Sequence, residues 1–139
     1  MGLRIFLTFT VFAATLLLSC AEPAYDFNIE ISYDEFCENN HRSDELELEV
    51  GDKLRMELCS NPETGSNWDY ETTIGNVLRK EDHYFKEPED DFSGTAGMEV
   101  WTFEAVERGK TEVRMEYSPR WEGGAWKAEW TYTLTVSVR

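Results

Sequence analysis

Positive charge is scarce in this chain. Its 139 residues carry 13 Lys+Arg against 28 Asp+Glu, a formal net charge of −15 at pH 7. Phosphate recognition needs clustered lysine and arginine, and no such cluster exists, so nucleic acid is not a partner. Histidine is rarer still, at two residues, and cysteine numbers three. His41 and His83 stand at no metal-ligand spacing from Cys37 and Cys59, so neither zinc nor another metal or cofactor is expected. There is no Ser/His/Asp order and no glycine loop of the phosphate-cradling kind, so the chain does not read as an enzyme. A dyad of Cys37 or Cys59 with His41 or His83 is the catalytic alternative, but His41 lies in a polar stretch that reads as a surface loop. Sustained helical periodicity is also lacking. What is present is apolar material, 41% hydrophobic with 14% aromatic residues. That suffices for the core of one domain and is too much for a disordered chain.

The longest apolar run, Ile5 to Leu18, follows the short positive start Met1 to Arg4. A spanning helix needs roughly 20 residues, and this shorter run fits the apolar region of a secretory signal. It ends in Leu17-Leu18-Ser19-Cys20, which resembles the lipobox of bacterial lipoproteins, where signal peptidase cuts before a lipid-bearing cysteine. The resemblance implies loss of residues 1–19, lipid on Cys20 and a tether over residues 20–26. It also implies export to the cell envelope and anchoring to a membrane on its periplasmic or cell-surface side. A thioether lipid plus N-acylation supplies the several chains that stable anchoring requires. The alternative is cleavage near Ala21 and a soluble secreted protein. In either case Cys37 and Cys59 remain as an even pair in an oxidising compartment. A disulfide between them is the expectation, with two buried thiols as the alternative.

From Phe27 to Arg139 the hydrophobic pattern alternates with period two. Phe27, Ile29, Ile31 and Tyr33 share one face; Leu46, Leu48 and Val50 share another, ahead of the turn Gly51-Asp52. Leu54, Met56 and Leu58 continue, as do Trp101, Phe103 and Ala105, then Val113, Met115 and Tyr117, and finally Trp130, Tyr132, Leu134, Val136 and Val138. Half-buried strands separated by turn signals predict an all-β, antiparallel β-sandwich or barrel. One short turn of helix is expected within residues 73–82. Glu87-Pro88-Glu89-Asp90-Asp91 reads as a solvated acidic connection.

Three connections do not read as ordinary turns. Asn61-Pro62-Glu63-Thr64-Gly65 combines a residue that bonds backbone two positions on, a proline with φ fixed near about −65°, and a glycine able to take positive φ. Gly94-Thr95-Ala96-Gly97 places two glycines where backbone can approach another surface. Ser118-Pro119-Arg120-Trp121-Glu122-Gly123-Gly124 sets Trp beside Arg in a loop, and these two residue types dominate binding hot spots.

The order of these segments resembles the chagasin family, protein inhibitors of papain-like cysteine peptidases. The likeness runs from about Glu45 to Arg139. It is carried by Asn61 to Gly65, Trp68, Gly94, Gly97, Phe103, Ala105, Gly109, Tyr117 and Trp121. It implies an immunoglobulin-like antiparallel β-sandwich or barrel and a reversible, monomeric inhibitor whose three loops form a wedge for the peptidase cleft. Asn61, Pro62, Glu63, Thr64 and Gly65 would then cover the catalytic Cys and His. Gly94, Thr95, Ala96 and Gly97 would run along the substrate-recognition side. Trp121 would pack across the cleft with Arg120 beside it. Three positions depart from the family pattern: Pro119 precedes Arg120 where Arg-Pro-Trp is usual, Ser66 replaces an aromatic or apolar residue, and Ala96 replaces a further glycine. The alternative function is a lipid-anchored surface module for adhesion, recognising a glycan or protein, with Trp68, Trp121 and Trp126 as an aromatic platform.

Overall fold

The computed structural model describes residues 23–72, 75–90, 94–119 and 128–139. Eight strands form two four-stranded sheets. The first has the order β1 (Phe27–Ile31), β3 (Lys53–Ser60), β6 (Gly97–Ala105), β5 (Leu78–Lys86). The second has the order β2 (His41–Leu48), β8 (Trp130–Val138), β7 (Gly109–Pro119), β4 (Ser66–Thr72). The period-two pattern is what makes this architecture: along β8 the residues alternate strictly between buried and half-buried, and Leu54, Met56 and Leu58 of β3 point into the same interior. The all-β sandwich of immunoglobulin type is therefore the fold of the chain.

The pairing is not wholly antiparallel. β1 runs parallel to β3, and β2 runs parallel to β8. The cause lies in the connection between β1 and β2. After Ile31 the chain enters a short helix, α1 (Tyr33–Glu38), and leaves it on the opposite sheet. Both edge strands thus follow the direction of the neighbour they join. Tyr33, expected on the β1 face, begins this helix and is 53% exposed. The switch is local chemistry: Ser32 and Glu35 form a reciprocal capping box, with the Glu35 N–H donating to Ser32 Oγ and the Ser32 N–H donating to Glu35 Oε2 at 2.8 Å. The helical turn expected within residues 73–82 is not where the helix lies. Positions 78–82 belong to β5, and residues 73–74 lie outside the described residues. Val50 is also turned outward, half-exposed, because β2 ends at Leu48 and the chain reverses through Gly51 at φ 100°.

Cys37 and Cys59 are free thiols, which corrects the expected disulfide. On α1 it is Phe36 that points inward, fully buried, and this leaves Cys37 exposed. Cys59 is buried at the end of β3, where burial first, then the charges of Cys37 and Asp34, push its thiol pKa up to about 11. The alternative of two buried thiols holds for Cys59 and not for Cys37.

Beneath α1 lies an aromatic cluster. Phe36 stacks on Trp130 at 5.1 Å, and Trp130 stacks on Tyr117 at 4.9 Å. Trp68 packs at a tilt against both Phe36 and Tyr117. Offset and tilted rings of this kind contribute about 0.5–1.5 kcal/mol per pair beyond area burial. Phe36→Ala is therefore expected to lower stability by about 3–5 kcal/mol in denaturant titration, against about 1 kcal/mol for Ser32→Ala. The cap has a pH signature as well. Glu35 is held below its usual value, first by the Ser32 backbone N–H and then by its side chain. Its contribution is present in full above the ordinary glutamate value and is lost as pH falls from there through the lowered one. Denaturant midpoints of the parent and of Glu35→Gln, compared across acid pH, should converge.

Candidate functional site

The strand directions gather the unusual loops at one end of the sandwich. β3 runs toward this end, and the chain crosses there to β4 in the other sheet through a single 3-10 turn, Pro62–Thr64. β5 also rises to it and returns as β6, whose first residue Gly97 pairs with Ser60. β7 finishes there, with Pro119 opposite Ser66, and β8 starts back from Trp130 opposite Tyr117. The roots of all three loops and α1 therefore share one end. Arg120 and Trp121 lie outside the described residues; Pro119, which precedes them in sequence, pairs with Ser66 at the end of the first loop.

Asn61 ties these segments together. Its backbone N–H donates to Tyr117 Oη at 3.0 Å, and the same hydroxyl donates back to the Asn61 carbonyl at 3.2 Å. That carbonyl also accepts from the Thr64 N–H at 3.1 Å and the Thr64 hydroxyl at 2.8 Å. The side-chain oxygen accepts from the Glu63 N–H at 3.2 Å, and Nδ2 donates to the Gly94 carbonyl at 3.3 Å. Every polar group of Asn61 is engaged, and its partners come from the first loop, the second loop and the strand that leads to the third. Gly65 closes the turn at φ 80°, with its N–H donating to the Pro62 carbonyl at 3.1 Å, as the sequence required of a glycine there.

The result is a compact tip in which Pro62, Glu63 and Thr64 are exposed while their backbone is held from below. Thr64 spends its hydroxyl on Asn61. Ser66, one of the departures, is buried, pairs with Pro119 and donates its N–H to Thr64 Oγ1 at 3.4 Å. In the second loop Gly94 and Thr95 are exposed. Ala96 is half-buried and its methyl packs against the core, so this departure adds bulk inward. Gly97 is buried: a Cβ there would collide with the Phe85 ring and the Lys86 carbonyl. Its lack of a side chain serves the join between β5 and β6 within the molecule.

A second network braces the root of the first loop. Ser60 Oγ donates to Glu99 Oε1 at 3.2 Å, and His83 Nε2 lies 2.7 Å from Glu99 Oε2 with its ring stacked on Trp101 at 4.7 Å. The carboxylate stands between serine and histidine, so Ser60 has no base to activate it. His41 is bonded to the Thr131 hydroxyl at 2.9 Å. Each imidazole thus has a partner other than a thiol, which leaves the Cys–His reading without support. Trp68 is buried with its indole N–H donating to the Cys59 carbonyl at 2.9 Å, so it is no part of an exposed aromatic platform; Trp126 lies outside the described residues. Trp101 and Trp130 are core residues, as their alternation indicated. Among the described residues no group of three or more His, Cys, Asp or Glu is placed to hold a metal ion.

Comparison with known proteins agrees with this geometry. The family model described as Chagasin family peptidase inhibitor I42 matches residues 47–136. No curated protein matches the chain in sequence. Among solved structures, the chain is similar to the cysteine protease inhibitor EhICP2 from Entamoeba histolytica, with a TM-score of 0.64 at 20% identity, covering 84% of this chain and 100% of that one. Amebosin gives 0.56 at 19% identity, again over 84% of this chain and 100% of that chain. PbICP-C, solved in complex with falcipain-2, gives 0.56 at 14% identity over 72% of this chain and 90% of that one. At these identities the structural likenesses show the fold.

The bridge through Tyr117 was not legible as a motif, because it joins residues 56 apart in sequence. Tyr117→Phe keeps the ring and removes the hydroxyl. It should cost about 1–2 kcal/mol of global stability and leave the Asn61 amide exchanging with solvent about tenfold faster or more by hydrogen exchange. Gly97→Ala should instead destabilise the whole fold, seen as a lowered melting temperature, because backbone must move to admit the methyl.

Proposed function

The chain belongs to the chagasin family of peptidase inhibitors, and from that footing we propose that it reversibly inhibits papain-like cysteine peptidases by filling the active-site cleft with its loop end. The observation that carries this reading is the Asn61 hub, which ties the first loop to the second and to the strand that leads to the third. EhICP2 is a cysteine protease inhibitor and PbICP-C is found with falcipain-2, so the fold is in use for this purpose.

The physics explains why such an edge blocks a peptidase and is not cut by it. Cleavage needs an extended chain with its carbonyl about 3–3.5 Å from the nucleophile. Pro62–Thr64 is wound into a turn whose carbonyls and amides are held by Asn61 and Gly65, so it cannot straighten into that geometry without breaking several bonds. It can still cover the nucleophile and exclude water. Affinity also gains, because an ordered loop does not lose the roughly 0.5–1.5 kcal/mol per side chain that a loose one would on binding. In this reading Thr64 sits over the catalytic pair, Gly94 and Thr95 run beside the substrate-recognition side, and Trp121 with Arg120 packs across the cleft.

Residues 1–19 act as the export signal, and Cys20 carries lipid that holds a monomeric domain to a membrane on the periplasmic or cell-surface side. The lipobox-like Leu17-Leu18-Ser19-Cys20 and the short tether behind it support this part. Metabolic labelling with a palmitate analogue should mark the parent and not Cys20→Ala.

The central test is hydrolysis of a fluorogenic peptide by papain in the presence of the purified domain. Tight, reversible inhibition is expected. Thr64→Ala and Trp121→Ala should each weaken it, Trp121→Ala by about 2 kcal/mol or ~30-fold, with unchanged melting temperatures. Absence of inhibition at micromolar domain against every papain-like enzyme tried would leave the adhesion module as the better reading.

A further inference from the structure

Between the first two wedge loops and α1, at the same end, lies a notch of about 470 Å³ whose α1 side, with Tyr33 and Glu129, the three-loop reading does not use. Thr64 and Thr95 form the side shared with the wedge, Trp130 and Tyr117 line it with aromatic surface, and Tyr33 and Glu129 complete it. Tyr33 stands edge-on to Trp130 at 5.7 Å and an interplanar angle of 77°. At 53% exposure it is one of three exposed large hydrophobic residues among those described. An aromatic side chain left in solvent beside a binding edge is the kind of residue that becomes an interface anchor. It also lies outside the family match, which begins at residue 47, so α1 contributes something that the matched portion does not.

The notch is negative. Glu129 is exposed on its rim, and Asp34 follows Tyr33 on α1. Both carboxylates are felt inside. The Tyr33 phenol is raised above its ordinary value, first by the neighbouring Cys37 and further by Glu129, and Asp34 is among the charges that raise Cys59. Among the described residues no lysine or arginine lines the walls. Trp130 is stacked on both faces, by Phe36 and Tyr117, so the open ring is that of Tyr33. An exposed ring with a carboxylate beside it is complementary to a guanidinium group, which stacks flat on a ring and donates to an oxygen at its edge.

We propose that this notch is a fourth contact of the inhibitor and receives an arginine side chain from the peptidase surface beside the cleft. The alkyl stem and guanidinium lie along the exposed Tyr33 ring, and the guanidinium meets Glu129. The proposal rests on the inhibitor reading. It deepens that reading by giving α1 a part in choosing which peptidases are bound, since an enzyme without a cation at that place leaves Glu129 facing bare surface.

The test uses the full mature domain and papain, with each arginine around the mouth of the papain cleft changed in turn to alanine. Glu129→Gln and Tyr33→Leu should each weaken inhibition about tenfold, mainly through faster dissociation. Each should be coupled to one papain arginine, so that the double variant is little worse than either single one. The advantage of the parent over Glu129→Gln should shrink with added salt. Parent inhibition that both variants match overturns the notch while leaving the wedge intact. A weakening that is equal against every arginine variant overturns it too, since no arginine is then the occupant. A parent domain that fails to inhibit at all overturns the wedge and the notch together. Both positions are exposed, and a melting temperature equal to the parent's secures the comparison; if Tyr33→Leu falls short of that, Glu129→Gln carries the test.

Discussion

The Tyr117 side chain is where the interior of this protein becomes its working edge. The ring is buried between Trp68 and Trp130, and its hydroxyl emerges under the first loop to hold both the N–H and the carbonyl of Asn61. Buried polar groups need partners, so the phenol fixes Asn61 and Asn61 satisfies the phenol. From that bond outward each step is determined. Asn61 places the turn Pro62–Thr64, its side chain reaches the second loop at Gly94, and the strand that bears Tyr117 delivers the chain to Pro119. Without a rigid aromatic layer below, the hydroxyl would have no fixed position from which to do this.

The two sheets divide the task. The second loop belongs to one sheet and the third connection to the other, while the first crosses between them. A wedge drawn from one sheet would be as thin as a single hairpin layer; drawn from both, it has the width of the sandwich, about 10 Å between sheets. The crossing also places Ser60 next to Glu99, so that one end of the first loop is bonded to β6 while its other end, Ser66, pairs with β7. Sliding of one sheet past the other would strain both ends of the same short connection, which is a physical reason for the loop to be stiff.

Much of this was legible in the sequence and some was not, for identifiable reasons. Six of the eight strands are legible as period-two alternation because each has one face on a shared core, whereas β4 and β5 were not, β5 because it is exposed along nearly its whole length. The first loop announces itself through Asn61, Pro62 and Gly65, whose backbone preferences act locally. The helix α1 escaped because six residues are too few for a 3.6-residue period to register; the available signal was Ser32 followed three positions later by Glu35. The parallel edge pairings follow from that same helix and were hidden with it. Gly97 was legible as a position needing no side chain, but not as one whose neighbour is Phe85 of its own chain. Cysteine count and compartment argued for a bridge, and they carry no information about which way Cys37 faces on a helix not foreseen.

Charge and shape act on different stages of the proposed inhibition. The excess of 28 acidic over 13 basic side chains is spread over the molecule, and at physiological salt its field fades within about 8 Å of the surface. It therefore biases which enzymes approach, through the rate of encounter, while the hold after contact depends on the fixed geometry of the tip and on pairs formed at short range. The Asn61 network and the aromatic layer are neutral, and salt leaves them intact. A protein built this way can alter its targets by changing carboxylates around the rim without disturbing the turn that resists cleavage, because no hydrogen bond of Asn61 involves an ionised group. The separation is a consequence of the fold: the loop end is rigid from within, so its outer charges are free to differ.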